Sequence, residues 1–183
     1  MIINENLIKS VIHLIRAYKE DSGLIYPKYT LNAVLRQMPL PDSNYFVSEG
    51  ADKLWNDICE SSIWDYRFSE RFHVNKDVDL PQYVGSGKIP AEIKSFKKGD
   101  KVKYNSVFHD EHIVRVDDIV NELYDLPEEK LNVEEVEKII LKLYVCKILK
   151  EEDRRLPHKR PSANLTEVYE QVYIPNNVFL MRR

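Results

Sequence analysis

The sequence predicts an α+β fold in which a mainly helical N-terminal region precedes a segment of alternating strands and helices. Apolar residues recur at spacings of three and four along residues 5–20, as in an amphipathic helix. From residue 104 onward, the β-favouring runs VFHDEHIVRV and YVCKIL are separated by stretches with helical periodicity. We expect domain boundaries near residues 100 and 160, which separate an N-terminal region (1–100), a core (101–160) and a C-terminal extension (161–183).

The composition indicates a globular chain. Of its 183 residues, 43% are hydrophobic and 31% are charged, and no apolar run approaches the roughly 20 residues that span a bilayer. The N-terminal stretch MIINENLIKSVIHLI has no basic segment before its apolar residues, so we expect no secretory signal, no membrane partner and a cytoplasmic location. Cys59 and Cys146 have no CxxC partners, which predicts two buried free thiols and no cysteine-based zinc site.

Three helices and one strand are predicted in the N-terminal region. After the helix at residues 5–20, Thr30 is expected to cap a second helix that stops before Pro39, and Ser48 to cap a third. The alternation of Trp64, Tyr66 and Phe68 with polar residues then predicts a half-buried strand.

Residues 75–100 are rich in glycine and proline and predict a long loop or a pair of short strands. They run into KSFKKGDKVKY, which interleaves aromatic residues with five lysines, of which Lys97, Lys98, Lys101 and Lys103 are the candidate contacts. This pattern fits a nucleic-acid contact. A charged hairpin with a Gly-Asp turn explains it equally well.

The second half of the chain predicts a strand, two helices, a strand and a helix. Asp117 or Asp118 is expected to start a short helix, and Asn132 to cap NVEEVEKIILKL. The strand YVCKIL leads directly into KEEDRRL, whose acidic start and basic end suit a helix dipole. A basic, proline-containing linker follows, and the chain is expected to finish as a helix and a strand.

The net charge of −3 conceals an uneven distribution. Lys and Arg number nine against six acidic residues in 61–108, six against fourteen in 109–153, and six against two in 154–183. An acidic centre between basic flanks fits a metal site bordered by a phosphate-binding surface, because cations gather at carboxylates and polyanions at Lys and Arg. Ordinary solvated acidic helices explain the same counts.

The run VFHDEHIVRV places two of the five histidines and two carboxylates inside an otherwise apolar strand. In an extended strand His109 and Glu111 share one face, and Asp110 and His112 share the other. Four consecutive ionisable groups are costly to bury without partners, so we expect them to serve chemistry.

These residues resemble a known family. EHIVRV looks like the DHIxPx signature of HNH nucleases, which have the ββα-metal fold, and VCKILKEEDRRL resembles their second strand and helix. The resemblance covers about fifty residues and implies a ββα-metal nuclease core with a helical insertion between its strands. It implies a metal-dependent endonuclease that hydrolyses DNA phosphodiester bonds, such as a small restriction or phage-defence enzyme, with Mg²⁺ or Mn²⁺ as cofactor.

Carried over residue by residue, the resemblance makes Glu111 the first metal ligand and His112 the general base. Asp110 is expected to orient His112 or to bind the metal, and His109 is a further catalytic candidate. The helix would complete the metal shell with one or two carboxylates from Glu151, Glu152 and Asp153, because one ion cannot be reached from all faces of a helix start.

The chain also departs from the family pattern. Arg115 stands where the family has proline, the second strand lacks an obvious Asn, and the helix lacks the late His or Asn. Five basic residues around this segment are candidate phosphate contacts: Arg115, Arg154, Arg155, Lys159 and Arg160.

Other functions stay open at this point. The chain can be a non-catalytic nucleic-acid-binding or regulatory module that uses its N-terminal helices as a reader. His109 and Asp110 also spell the HD pair of a phosphohydrolase class, although the further His and Asp residues of that class are missing. His109 and His112 have the HxxH spacing of a zinc pair without a second pair of ligands. The expected partner is double-stranded DNA, and a symmetric cut would favour a homodimer.

Overall fold

The computed structural model describes residues 2–20, 26–67, 70–80, 95–157 and 164–183, and within them the fold is mixed α+β, as predicted. The helices are α1 (Glu5–Glu20), α2 (Tyr26–Gln37), α3 (Glu49–Ile58), α4 (Val116–Asp125), α5 (Val133–Ile140), α6 (Lys150–Arg155) and α7 (Leu165–Val168). The strands are β1 (Tyr45–Ser48), β2 (Arg71–His73), β3 (Val78–Asp79), β4 (Ser95–Phe96), β5 (Lys101–Lys103), β6 (Phe108–His112), β7 (Val145–Leu149) and β8 (Leu180–Arg182).

The chain forms two compact units that interleave in sequence. The first contains Met1–Tyr45, His112–Tyr144 and Pro161–Val168, and the second contains Phe46–Glu111, Val145–Arg160 and Tyr169–Arg183. One of these limits coincides with the boundary expected near residue 160, and none lies near residue 100. No helix in the described part of the chain combines the length and apolar character that a membrane crossing requires.

The first unit is helical. Helix α1 packs against α2, α4 and α5, and its predicted apolar stripe is buried at Ile8, Val11, Ile12 and Ile15. Because every third or fourth residue of a helix returns to the same face, the stripe forms one side of a continuous apolar core. The helical periodicity of residues 5–20 is therefore confirmed.

Helix starts in the first unit agree with the sequence in one case and differ in two. Asn132 caps α5 as predicted, and its side chain accepts a hydrogen bond from the Glu135 N–H at 3.1 Å. Thr30 does not cap α2, which already begins at Tyr26; Pro27 suits that first turn because an N–H is not needed there. Helix α4 begins at Val116, before the expected aspartates, with Arg115 at its N-cap.

The second unit is built on a four-stranded sheet with strand order β6-β7-β1-β8. Strand β1 pairs antiparallel with β8, so Phe46 lies opposite Arg182. Helix α3 packs against β7 and is capped by Ser48 as predicted, because its hydroxyl accepts a hydrogen bond from the Ala51 N–H at 3.1 Å. The core of this unit is aromatic, with Trp55 against the rings of Phe72 and Phe108.

Two short ribbons complete the second unit, β2 with β5 and β3 with β4. The pair of short strands expected within residues 75–100 is present as β3 and β4, while residues 81–94 lie outside the described residues. The expected Gly-Asp turn is present, with Gly99 at a φ of 94°. The expected hairpin is not, because β4 and β5 each pair with an earlier strand.

The strand predicted at Trp64–Phe68 is wrong. Residues Ile63–Asp65 form a 3₁₀ turn that starts where the Ser62 hydroxyl accepts a hydrogen bond from the Trp64 N–H, and Phe68 lies outside the described residues. The apolar alternation there reflects aromatic packing and not a strand, since the Tyr66 ring lies 5.1 Å from that of Trp55. The strand comes later, at β2.

Candidate metal centre

Strands β6 and β7 and helix α6 follow one another in the order strand, strand, helix, with α4 and α5 between the strands. The Lys150 N–H donates to the Val107 carbonyl at 2.8 Å. Lys147, three residues before Lys150, contacts Asp110, which lies three residues after Val107. This opposite progression shows that β6 and β7 are antiparallel. Helices α4 and α5 lie between these two strands in the sequence.

His109, Glu111 and Asp153 form a group that could hold a metal ion. One ligand atom from each lies within 4.8 Å of the others, and all three residues are half-buried. His109 and Glu111 come from the same face of β6, and Asp153 comes from α6. The group thus combines two carboxylates and one imidazole from the elements that the sequence singled out.

The electrostatics of this group favour a positive charge. The His109 imidazole lies 3.1 Å from the Glu111 carboxylate, and this hydrogen bond raises the pKa of His109 above its usual range. Burial opposes the increase, while the charges of Asp153, Glu111 and Asp110 add to it. A site that stabilises an imidazolium also stabilises a bound cation, because both respond to the same carboxylates.

Access differs between the two β6 members of the group. The His109 side chain is 43% exposed, whereas that of Glu111 is only 15% exposed. The group is therefore more open to solvent on the His109 side than on the Glu111 side.

The three acidic residues at the start of α6 do not share a role. Glu152 is buried, and its carboxylate accepts hydrogen bonds from the Ser48 hydroxyl and from the Leu149 N–H at 2.8 Å. Glu151 is half-buried and lies 4.0 Å from Arg154. Only Asp153 joins the group with His109 and Glu111. Helix geometry separates the three side chains, as the spacing argument anticipated.

Glu152 also explains a glycine. A Cβ on Gly50 would lie 2.5 Å from a carboxylate oxygen of Glu152, a separation at which a neighbour must move. The carboxylate thus sits against the backbone of the first turn of α3. Burial raises the pKa of Glu152, while its hydrogen bonds from Ser48 and Leu149 act in the opposite direction.

Asp110 is occupied by a buried network on the opposite face of β6 from His109 and Glu111. Its carboxylate accepts hydrogen bonds from the Lys147 ammonium at 3.0 Å and from the Tyr104 hydroxyl at 2.9 Å. Lys147 also donates to the Tyr66 carbonyl at 2.7 Å. Burial lowers the pKa of Lys147, and Asp110 counteracts this. Asp110 therefore supports the strand pair and lies outside the three-residue group.

His112 is the last residue of β6, and alternation along the strand places it with Asp110 and not with His109 and Glu111. It is half-buried and is not a member of the three-residue group. The expected metal ligand Glu111 therefore belongs to the group, whereas the expected general base His112 does not.

The cysteines play no part in the group. Both are free thiols, Cys146 buried and Cys59 half-buried. Burial and the nearby carboxylates of Glu152 and Glu111 raise the pKa of Cys146 well above its usual range. Neither cysteine belongs to the group of His109, Glu111 and Asp153.

The predicted phosphate contacts fall into separate places. Lys97 pairs with Asp77 at 3.3 Å, and Arg115 with Asp117 at 3.5 Å. The remaining described candidates are exposed on β5, in the turn before it and at the end of α6: Lys98, Lys101, Lys103, Arg154 and Arg155. Lys159 and Arg160 lie outside the described residues.

The sequence did not predict the residues that hold Asp110 and Glu152, the carboxylates adjacent to the group. Lys147 and Tyr104 hold Asp110, and Ser48 and Gly50 accommodate Glu152. One signal was available, since Lys147 is the lone charge in the apolar run YVCKIL. A lysine within a buried strand requires a partner of opposite charge.

We expect Glu152→Ala to lower the free energy of unfolding by about 1–3 kcal/mol, because Ser48 and Leu149 each lose a buried acceptor. Glu152→Gln should be less destabilising, since its amide oxygen can accept the same bonds. The raised pKa means that wild type loses stability as the pH rises from the unfolded-state pKa through the folded-state pKa. Glu152→Gln should lack this loss.

Urea unfolding at several pH values measures both effects. An unchanged urea midpoint for Glu152→Ala would contradict the structural role of this carboxylate.

Comparison of the chain with protein-family models, with curated proteins and with solved structures gives no match.

Proposed function

We propose that this protein is a metal-dependent endonuclease that hydrolyses phosphodiester bonds in DNA. In this proposal a divalent ion is held by His109, Glu111 and Asp153. The observation that carries it is the convergence of these three ligand atoms within 4.8 Å, from a strand and from the helix that follows the next strand. The HNH resemblance independently selects Glu111 and the start of α6.

The donor set suits Mn²⁺ or Mg²⁺. Carboxylate oxygens are the ligands that both ions prefer, and the imidazole shifts the preference toward Mn²⁺ because nitrogen ligands favour transition metals. The pKa of His109 is raised chiefly by its hydrogen bond with Glu111, and the nearby carboxylates that add to the increase would also attract a cation. When bound, the ion would neutralise the phosphate and stabilise the leaving 3′ oxygen.

The chain's own residues would bind the substrate and move the proton. His112 is proposed as the general base that accepts a proton from the attacking water, for which an imidazole is suited near neutral pH. Arg154 and Arg155 are exposed and follow Asp153 directly, so they can bind phosphates next to the group. Lys147 and Tyr104 hold Asp110 and thereby keep β6 in register with β7.

One observation favours the second candidate, a non-catalytic nucleic-acid-binding module. Alternation along β6 places His112 on the face opposite His109 and Glu111. A protein that had lost its base could keep the cation group and the basic surface without cleaving DNA. The two candidates differ in a single property, which is cleavage in the presence of metal.

We expect Asp153→Asn to reduce Mn²⁺ affinity more than about tenfold, because the amide removes one of the two anionic ligands. Isothermal titration calorimetry measures the affinity. Asp125→Asn is the matched control, since Asp125 is exposed on α4 and should leave Mn²⁺ binding unchanged. Equal affinity in wild type and Asp153→Asn would exclude the proposed site.

We expect His112→Ala to slow metal-dependent cleavage of supercoiled plasmid by about 10²–10⁴-fold, the usual contribution of a general base. Mn²⁺ binding should persist, because His112 is not among the three ligands. His13→Ala, which removes an exposed histidine of α1, serves as the control. Full activity of His112→Ala would assign the base to another residue, and a folded wild-type protein that cuts no DNA would favour the binding module.

We expect Mn²⁺ affinity to fall as the pH is lowered through the raised pKa of His109. A proton on the imidazole must leave before the nitrogen can bind a cation, so protons and metal compete. His109→Gln removes this competition and should bind Mn²⁺ more weakly at neutral pH, with a flatter pH dependence. Calorimetry at several pH values from about 5.5 to 8 tests this around the ordinary histidine pKa. Identical pH profiles for the two proteins would show that His109 is not a ligand.

A further inference from the structure

One exposed surface of the second unit carries four basic side chains in register. Strand β2 pairs antiparallel with β5, which places Arg71 opposite Lys103 and His73 opposite Lys101. All four residues are exposed. We call this surface the basic ribbon, and it consists of Arg71, His73, Lys101 and Lys103.

The other face of the same two strands belongs to the core. Phe72 and Val102 lie opposite each other between the basic residues, Phe72 fully buried and Val102 packed against the same aromatic cluster. Because side chains alternate along a strand, this core face orients every basic side chain of the ribbon outward. The position of the four side chains therefore follows from the burial of Phe72.

The basic ribbon places like charges side by side. Directly opposed residues of the same charge destabilise an antiparallel pair, and Arg71 opposite Lys103 is such a pair of permanent cations. Within the described ranges, no carboxylate forms an ion pair with Arg71, Lys101 or Lys103. The fold thus retains a repulsion that a bound polyanion would relieve.

The nearest acidic residues along the chain are engaged in turns. Glu70 accepts a hydrogen bond from the Arg67 N–H at 2.6 Å, and Asp100 accepts one from the Lys97 N–H at 2.8 Å. Each of these carboxylates accepts a backbone hydrogen bond in its own turn, and neither forms an ion pair with a ribbon cation in the part of the chain that the structure describes.

An open groove of about 420 Å³ runs along the basic ribbon. Arg71, Lys101 and Lys103 line it together with Ser95, Ser106 and the acidic Asp100, so three cations and one anion border the groove. Arginine, lysine and serine are among the side chains that contact DNA phosphates, so the net positive lining suits a phosphate-binding surface.

We propose that the basic ribbon binds the sugar-phosphate backbone of double-stranded DNA. The inference rests on the proposed function for its choice of DNA, and on the charge and register of the ribbon for the contact itself. Lys101 and Lys103 are two residues apart on one strand, hence about 6.8 Å apart along it. Neighbouring phosphates of one DNA strand lie further apart than their roughly 3.4 Å axial rise, because the strand also winds around the axis, so this lysine spacing suits neighbouring phosphates of the same strand.

The test is the salt dependence of binding to a short mixed-sequence DNA duplex in EDTA, measured by fluorescence anisotropy from about 50 to 200 mM salt. The variant carries Lys101→Gln and Lys103→Gln. Because each lysine bound to a phosphate releases about one counterion, the slope of log K against log salt should decrease by about two. Thermal unfolding should show no loss of stability, since the changes remove like-charge pairs from an exposed face.

The matched control carries Lys9→Gln and Lys138→Gln, which remove two exposed lysines of α1 and α5 and change the net charge equally. Its slope should equal that of wild type. The inference is overturned if both double variants bind DNA with the wild-type affinity and slope, if wild type does not bind the duplex in EDTA, or if it binds duplex RNA in preference.

This experiment is independent of the metal group. The ribbon variant should keep wild-type Mn²⁺ affinity in calorimetry. If wild type does not bind Mn²⁺, the nuclease proposal is overturned, and the DNA-binding result for the ribbon, measured in EDTA, is unaffected.

Discussion

The buried ion pair between Lys147 and Asp110 is the interaction on which the sheet around the candidate metal centre depends. The two side chains are 4% and 10% exposed, and their charged atoms lie 3.0 Å apart. An unpartnered buried charge destabilises a protein by about 3–5 kcal/mol, so neither residue can be buried here without the other. The Tyr66 carbonyl and the Tyr104 hydroxyl satisfy further hydrogen-bonding capacity of the pair.

This pair also selects the register of β6 against β7. A slip of one residue would move every side chain of β6 to the other face and would separate Asp110 from Lys147. The same register orients His109 and Glu111, which flank Asp110 in sequence, to the face that α6 reaches with Asp153. The hydrogen-bonded network of Asp110 on one face of β6 thereby determines that His109 and Glu111 meet Asp153 on the other face.

The helix contributes through an analogous buried carboxylate. Glu152 connects the start of α6 to Ser48 at the start of α3, and the close approach requires glycine at position 50. Because neighbouring helix residues point about 100° apart, an inward Glu152 directs Asp153 toward β6. Negative charge is concentrated in the acidic group, which suits a cation, and positive charge in the basic ribbon, which suits a polyanion. The net charge of −3 does not reveal this separation.

Local signals in the sequence determined most of the secondary structure. The stripe of α1, the caps at Ser48 and Asn132, and the strand β7 followed by α6 were predictable because each depends on residues within one or two turns. The alternation at Trp64–Phe68 misled, because aromatic packing around Trp55 overrides strand periodicity there. The residue types of a metal group were also visible, in HDEH and in the acidic start of α6.

Only the tertiary structure decided which of those residues meet. It selects Asp153 from three adjacent acidic residues, assigns Glu152 to Ser48 and Asp110 to Lys147, and leaves His112 on the other face of its strand. It also aligns Arg71 with Lys103 from segments about thirty residues apart. These outcomes depend on pairing between segments that are distant in the sequence. A buried charge pairs with whichever partner the fold brings within reach, and no local sequence pattern specifies that partner.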